Sequence, residues 1–173
     1  MSTVVLSLGA NLGDREENLT EALDHLRPDL ASDLYETPPW GEEDQPAYFN
    51  LTVICTRAGH TAHDWLSQAA KAEMRAGRLR DPQRPYGPRT LDVDIIAAWD
   101  DHGDPVLSND PQLTLPHPRA HLRAFVLVPW LAIDPAAELP GVAKVRTLLR
   151  KPNLAADARS LRRLHPIWSN DHG

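Results

Sequence analysis

An α+β domain built on a mostly antiparallel sheet with packed helices is the fold class this sequence predicts, on three observations. Short β-branched runs alternate with stretches of helical periodicity. The connections are short and hairpin-like, which disfavours a purely parallel, doubly wound sheet, where every strand needs a crossover. The chain has 173 residues, enough for one domain with its own core and no staples.

The elements follow in order. Residues 3–10, TVVLSLGA, read as a strand stopped by Gly9 and the loop GANLGD. A helix opens at Asp14, with Glu17 three residues on as a capping signal; Leu19, Ala22, Leu23 and Leu26 form its apolar face and Pro28 ends it. The proline-broken stretch SDLYETPPWGEEDQPAYFN then leads into the strand LTVICT. An irregular connection of that length is more often functional than decorative. Thr61 and Asp64 cap a second helix that runs to about Ala76, with Trp65, Leu66 and Ala69 on one face and Gly77 as the stop. After an arginine-rich loop with Pro82, Pro85, Gly87 and Pro88, RTLDVDIIAAW reads as a strand, DDHGD as a turn and PVL as a short partner strand. The loop SNDPQLTLPHPRAHLR carries two histidines. It leads into AFVLVPWLAID, whose class Pro129 leaves ambiguous. GVAKVRTLLRK presents Val142, Val145, Leu148 and Leu149 on one face and predicts a helix. The expected domain covers residues 1–150. The tail 151–173 holds one more short helix or is partly loose.

A net charge of −6 argues against a protein whose task is wrapping nucleic acid. The basic residues are nevertheless concentrated: Arg75, Arg78, Arg80, Arg84 and Arg89 crowd one segment, a local anion-attracting patch or simply a solvated face. Cys55 is the only cysteine, so no intramolecular disulfide can form, and a reducing compartment is expected. MSTVVLSLGA lacks the basic start and apolar length of a signal peptide or membrane span. A cytoplasmic monomer with no nucleic-acid or membrane partner is expected.

The most informative stretch is GPRTLDVDII. Side chains alternate across a strand, so Asp92 and Asp94 share one face, about 6–7 Å apart at their backbones, while Leu91, Val93 and Ile95 share the other. Two carboxylates side by side repel unless a cation intervenes. Mg²⁺ typically takes one or two carboxylates and completes its octahedron with water and nucleotide phosphate. The plain alternative is a solvent-facing strand surface. Arg89 just before the pair, the upstream arginines, and His117 and Arg123 beyond it favour a phosphate and metal site.

The segments LSLGANLGDREENL, YETPPWG, DQPAYFN, RLRDPQRPYGPRTLDVDII and LPHPRAHLRAFVLVPW, in this order and spacing, resemble the 6-hydroxymethyl-7,8-dihydropterin pyrophosphokinase family of folate biosynthesis, from about residue 3 to residue 135. The resemblance implies a ferredoxin-like sandwich. It implies transfer of pyrophosphate from the co-substrate ATP to the hydroxymethyl group of 6-hydroxymethyl-7,8-dihydropterin, releasing AMP, with two Mg²⁺ ions held by Asp92 and Asp94. In the pterin pocket it places Thr37 and Asn50 as hydrogen-bonding groups, the backbone around Pro39 and Trp40 against the amino group, and Tyr48 and Phe125 as the two faces of a ring sandwich. At the nucleotide it places Arg78, Arg80 and Arg89 over the phosphates, His117 and Arg123 on them, and Glu73, Ile95 and Thr114 along the site. Arg78 and Arg89 join the two aspartates as the residues expected to carry catalysis.

Direct in-line attack by the pterin hydroxyl on the β-phosphorus needs positioning and charge neutralisation, with no covalent nucleophile. The sequence departs from the family pattern in several places. The stretch between Gly77 and Gly87 is one residue longer, Asp81 stands where a basic residue is usual, and Gln112 lies near an expected arginine. Trp40 replaces a smaller aliphatic residue, and GAN replaces GSN. Two other readings of the residues are a two-metal phosphodiesterase, which would want more carboxylates or histidines near Asp92, and a binding module that holds ATP without making AMP.

Overall fold

The computed structural model describes residues 1–38, 44–77 and 90–170. Strand β1 (Ser2–Ala10) is followed by helix α1 (Arg15–Leu26), the short strands β2 (Leu30–Ala31) and β3 (Tyr35–Thr37), and the long strand β4 (Tyr48–Arg57). Helix α2 (Ala62–Arg75), strand β5 (Asp92–Trp99) and the small hairpin β6 (Ser108–Asp110) and β7 (Leu113–Leu115) come next. Helix α3 (Ala124–Ile133), the two-residue strands β8 (Glu138–Leu139) and β9 (Ala143–Lys144), the single turn α4 (Val145–Leu148), helix α5 (Pro152–Arg159) and strand β10 (Arg162–Arg163) complete the chain.

The main sheet runs β10-β3-β4-β1-β5, with β2 also paired to β4, and every pairing is antiparallel. Alternation along the strands builds two cores. Val4, Leu6 and Leu8 of β1, Leu51, Val53 and Cys55 of β4, and Leu91, Val93 and Ile95 at β5 pack with Leu19 and Leu23 of α1 and Trp65 and Ala69 of α2. On the opposite face Val5, Ile96 and Ala97 pack with Val126, Leu127 and Trp130 of α3 and Leu154 of α5. Each fully buried leucine contributes roughly 1.5–3 kcal/mol over its exposed state. The register of β1 against β5 shifts between Val5 and Leu6, so Ile96 and Ala97 both face α3 and Ala98 returns to the other side, as a β-bulge requires.

Local signals hold where they carry a mechanism. Asp14 caps α1 by accepting from Glu17 N–H at 3.1 Å, and Thr61 with Asp64 forms a complete capping box on α2. Gly77, at φ 72°, follows α2 in the left-handed region that glycine tolerates best. Three expectations change and one ambiguity is resolved. The loop SNDPQLTLPHPRAHLR is not irregular throughout, because Ser108–Asp110 and Leu113–Leu115 pair as the β6–β7 hairpin. The stretch 32–50 is not wholly irregular, because β3 pairs with the first residues of β4, which starts at Tyr48, ahead of the LTVICT run. GVAKVRTLLRK is not one helix: Ala143 and Lys144 pair back onto β8 around Gly141, and only residues from Val145 onward turn helical. AFVLVPWLAI resolves as helix, with Pro129 inside it bringing no N–H to the carbonyl of Phe125.

Among the described residues no helix is long and apolar enough to cross a membrane. Cys55 is fully buried, and burial pushes its thiol up to about 12. Alkylation needs an accessible thiolate. Iodoacetamide at about pH 8 is therefore expected to leave the native protein unlabelled and to label it fully in denaturant; native labelling at the rate of a free thiol would contradict this core assignment.

Candidate active site

The sheet face that packs on α3 turns polar toward one end. Along it β1 presents Val5, then Ser7, then Gly9; β4 presents Ile54, Thr52, Asn50 and Tyr48; β5 presents Ile96, Asp94 and Asp92. The register sets these side by side, with Ser7 between Thr52 and Asp94, and Gly9 between Asn50 and Asp92. Cross-strand neighbours of this kind stand about 4.5–5.5 Å apart at Cβ. Three strands thus deliver their polar ends to one place, where a single cavity is lined by both aspartates with Ser7, Gly9, Asn50 and Tyr48, and closed by Thr37, Pro38, Arg123 and Phe125.

One wall is shaped for a flat, polar-edged ring. β3 pairs Thr37 with Tyr48 and Tyr35 with Asn50, so the short strand carries Thr37 to the cavity. Asn50, only 4% exposed, donates its Nδ2–H to Thr37 Oγ1 at 2.7 Å, which leaves the threonine hydroxyl proton for a ligand. Gly9 makes room for that amide: a Cβ there would stand 2.6 Å from Asn50 Oδ1, closer than atoms tolerate. Phe125, in the first turn of α3, and Tyr48, at the start of β4, supply aromatic surface.

The other wall is charged. Arg123 stands at the N-cap of α3, its Nη1 3.3 Å from Asp94 Oδ2 and its guanidinium carbon 5.7 Å from the centre of the Phe125 ring. The pair is partly buried, with side-chain exposures of 12% and 31%, so water screens it less than a surface ion pair. His117 brings Nε2 within 4.0 Å of the same carboxylate oxygen, and its own N–H is anchored on Ile96 O at 2.8 Å. Its Nδ1 accepts from Arg119 N–H at 3.1 Å, so the neutral ring carries its proton on Nε2. Burial first, and the Arg123 charge next, push His117 down to about 4, against the opposing pull of Asp92.

The donor set fits a hard divalent cation. Asp92 and Asp94 are half-exposed oxygen donors on one face of a strand, and both line the cavity. Among the described residues no group of three or more histidine, cysteine or acidic side chains gathers into a cage. Two carboxylates on one strand face suit Mg²⁺, which keeps waters and takes phosphate oxygens.

The structure thus gathers Thr37, Tyr48, Asn50, Asp92, Asp94, Arg123 and Phe125 around one cavity, with His117 on its rim. Glu73, Ile95 and Thr114 lie elsewhere. Glu73 Oε2 accepts from Val93 N–H at 3.0 Å, bracing the strand between the two aspartates. Ile95 is 6% exposed in the core on the opposite face, and Thr114 Oγ1 donates to Asp110 O at 3.0 Å within the β6–β7 hairpin. Pro39, Trp40, Arg78, Arg80 and Arg89 lie outside the described residues. Sequence reasoning missed Ser7, Gly9 and Pro38. Alternation held the signal for the first two, since Val4, Leu6 and Leu8 claim one face and leave Ser7 and Gly9 on the other.

Comparison with known proteins shows the family. The family model described as 7,8-dihydro-6-hydroxymethylpterin-pyrophosphokinase (HPPK) matches residues 5–135. A Mycobacterium tuberculosis (strain H37Rv) protein named 2-amino-4-hydroxy-6-hydroxymethyldihydropteridine pyrophosphokinase is 41% identical over 176 residues, covering 97% of this chain and 93% of its own. Its Mycobacterium leprae namesake is 46% identical over 146 residues, covering 80% of this chain and 75% of its own. Among solved structures, wild-type Plasmodium falciparum HPPK-DHPS superposes with a TM-score of 0.63 at 14% identity, covering 94% of this chain. This chain spans 46% of that longer protein, and at such low identity the likeness shows the fold alone, an antiparallel sheet with packed helices of the ferredoxin-like type. On the family model and these relatives, the chain belongs to the 7,8-dihydro-6-hydroxymethylpterin-pyrophosphokinase family of transferases.

Proposed function

We propose that this enzyme transfers pyrophosphate from ATP to the hydroxymethyl oxygen of 6-hydroxymethyl-7,8-dihydropterin, by direct in-line displacement. The observation that carries the reading is the meeting, in one cavity, of a ring-shaped slot and a paired-carboxylate wall with its own arginine. The pterin ring lies between Tyr48 and Phe125, its polar edge on Thr37 and Asn50, with the backbone at Pro39 and Trp40 on its amino group. Bound so, the ring is held and its hydroxymethyl arm faces Asp92 and Asp94. The hydroxyl oxygen attacks the β-phosphorus, the bond from that phosphorus to the bridging oxygen of the α-phosphate breaks, AMP departs, and the hydroxyl proton passes to solvent. Arg123 meets phosphate charge beside Asp94, and His117 offers Nε2–H as a neutral donor. Arg78, Arg80 and Arg89 are assigned to the phosphates, and Glu73, Ile95 and Thr114 to the adenosine side, on the family resemblance. Mg²⁺ held by Asp92 and Asp94, as two ions when both substrates are bound, would supply charge neutralisation and a more acidic hydroxyl.

The test is AMP formation from ATP, MgCl₂ and the dihydropterin by the full chain. AMP that requires both pterin and metal is expected. Arg123→Ala is expected to retain the fold and lower kcat about 10²-fold or more, as loss of one transition-state donor does. A folded protein that binds ATP and makes no AMP would leave a binding module, and pterin-independent hydrolysis would leave a phosphohydrolase.

A further inference from the structure

The family match ends at residue 135, yet the chain beyond it returns to β3, the strand that carries Thr37 to the site. α5 packs on the second core through Leu154, and Leu161 carries the chain on toward the far edge of the sheet. There Arg162 pairs with Glu36 and Arg163 with Tyr35. The ladder continues as Leu164 N–H donates to Leu34 O and Leu34 N–H to His165 O, each at 2.8 Å. Side chains fasten the same run. Arg163 pairs with Asp33, and His165 meets Glu16 on α1. Trp168 Nε1–H donates to Pro28 O at 3.2 Å, and Asn170 accepts from Ala31 N–H at 2.9 Å while donating to Ala31 O at 3.3 Å. Leu164, Ile167 and Trp168 cover part of the first core.

What this run holds is β3, a strand of three residues whose last member is Thr37. Without β10, so short a strand would be an edge held on one side only, by β4, and would be marginal. A neighbouring cavity shares Thr37, Pro38, Arg123 and Phe125 with the site and is also lined by Asp157, Ser160 and Leu161, so the end of α5 that leads into the strap stands beside the same residues.

We propose that residues 162–170 form a positioning strap for the pterin side of the site, fixing Thr37 and Pro38 against the slot formed with Asn50 and Phe125; this rests on the pterin reading above. Asp92 and Asp94 stand on β5, at the other edge of the sheet, so the strap acts on one substrate more than the other.

Two variants test it. One ends the chain at Leu161, keeping α5. The other is Leu164→Pro in the full chain, which removes the donor to Leu34 O and leaves the rest of the tail in place. In both, KM for the dihydropterin is expected to rise about tenfold or more, in line with the sensitivity of bound geometry to small displacements. KM for ATP is expected to stay within about twofold, and Leu164→Val to behave as the parent. Amide exchange at residues 35–37 is expected to quicken in the two variants. A pterin KM unchanged in a folded variant, or both KM values rising together, would overturn the strap; if the shortened chain does not fold, Leu164→Pro decides. A full chain that makes no AMP fails in a different way, because it overturns the functional reading and the strap's role falls with it.

Discussion

Asp94→Asn is expected to lower the rate of AMP formation about 10³-fold, a larger loss than that expected for Arg123→Ala. The asparagine keeps the volume and an oxygen acceptor for Arg123 Nη1, which stands 3.3 Å from the carboxylate, and removes only the charge. With 31% of its side chain exposed, Asp94 is not part of the core, so the melting temperature of the metal-free protein is expected to move by no more than about 2–4 °C, the equivalent of ~1 kcal/mol. Mg²⁺ or Mn²⁺ titration by calorimetry should show weaker binding in step with the rate. A variant that turns over within about tenfold of the parent would place the metal elsewhere and leave Asp94 as an orienting partner of Arg123.

Gly9→Ala should cost less in rate and more in pterin affinity. Its methyl group would stand 2.6 Å from Asn50 Oδ1, and Asn50 cannot swing away cheaply, because it is 4% exposed and bonded to Thr37 Oγ1. The amide must tilt, the Thr37 bond weakens, and both groups proposed to meet the pterin edge move together. KM for the dihydropterin is expected to rise about 10²-fold, with KM for ATP near the parent value. Asn50→Ala combined with Gly9→Ala provides the check: removing the amide removes the clash, so the double variant should bind no worse than Asn50→Ala alone. Additive losses would mean that the methyl group harms the strand itself.

How legible the fold is in the sequence differs from element to element. Asp92 and Asp94 could be placed on one face from alternation alone, and Leu91, Val93 and Ile95 do pack together on the other. The caps at Asp14 and Thr61 were equally plain, since capping is a contact between residues three apart. β3 and β10 were not legible. Strands of three and two residues have no period to detect, and they exist because each finds a partner far along the chain. The same holds for the GVAKVRTLLRK stretch, where helical spacing of Val142, Val145, Leu148 and Leu149 lost to a two-residue ladder around Gly141.

The site divides along the same line. The paired aspartates and nearby arginines pointed to a phosphate and metal site, and the order and spacing of the motifs carried the resemblance to the family, because both are properties of the chain itself. The sequence left open that Gly9 must lack a side chain for Asn50, that Arg123 at the head of α3 meets Asp94, and that Glu73 accepts from Val93 N–H. Each of these depends on register or on the packing of one element against another. Contacts between residues 20 to 139 positions apart, such as Glu73 with Val93 or Ala31 with Asn170, are fixed when the sheet and its helices close on a shared core, and no local pattern encodes that closure.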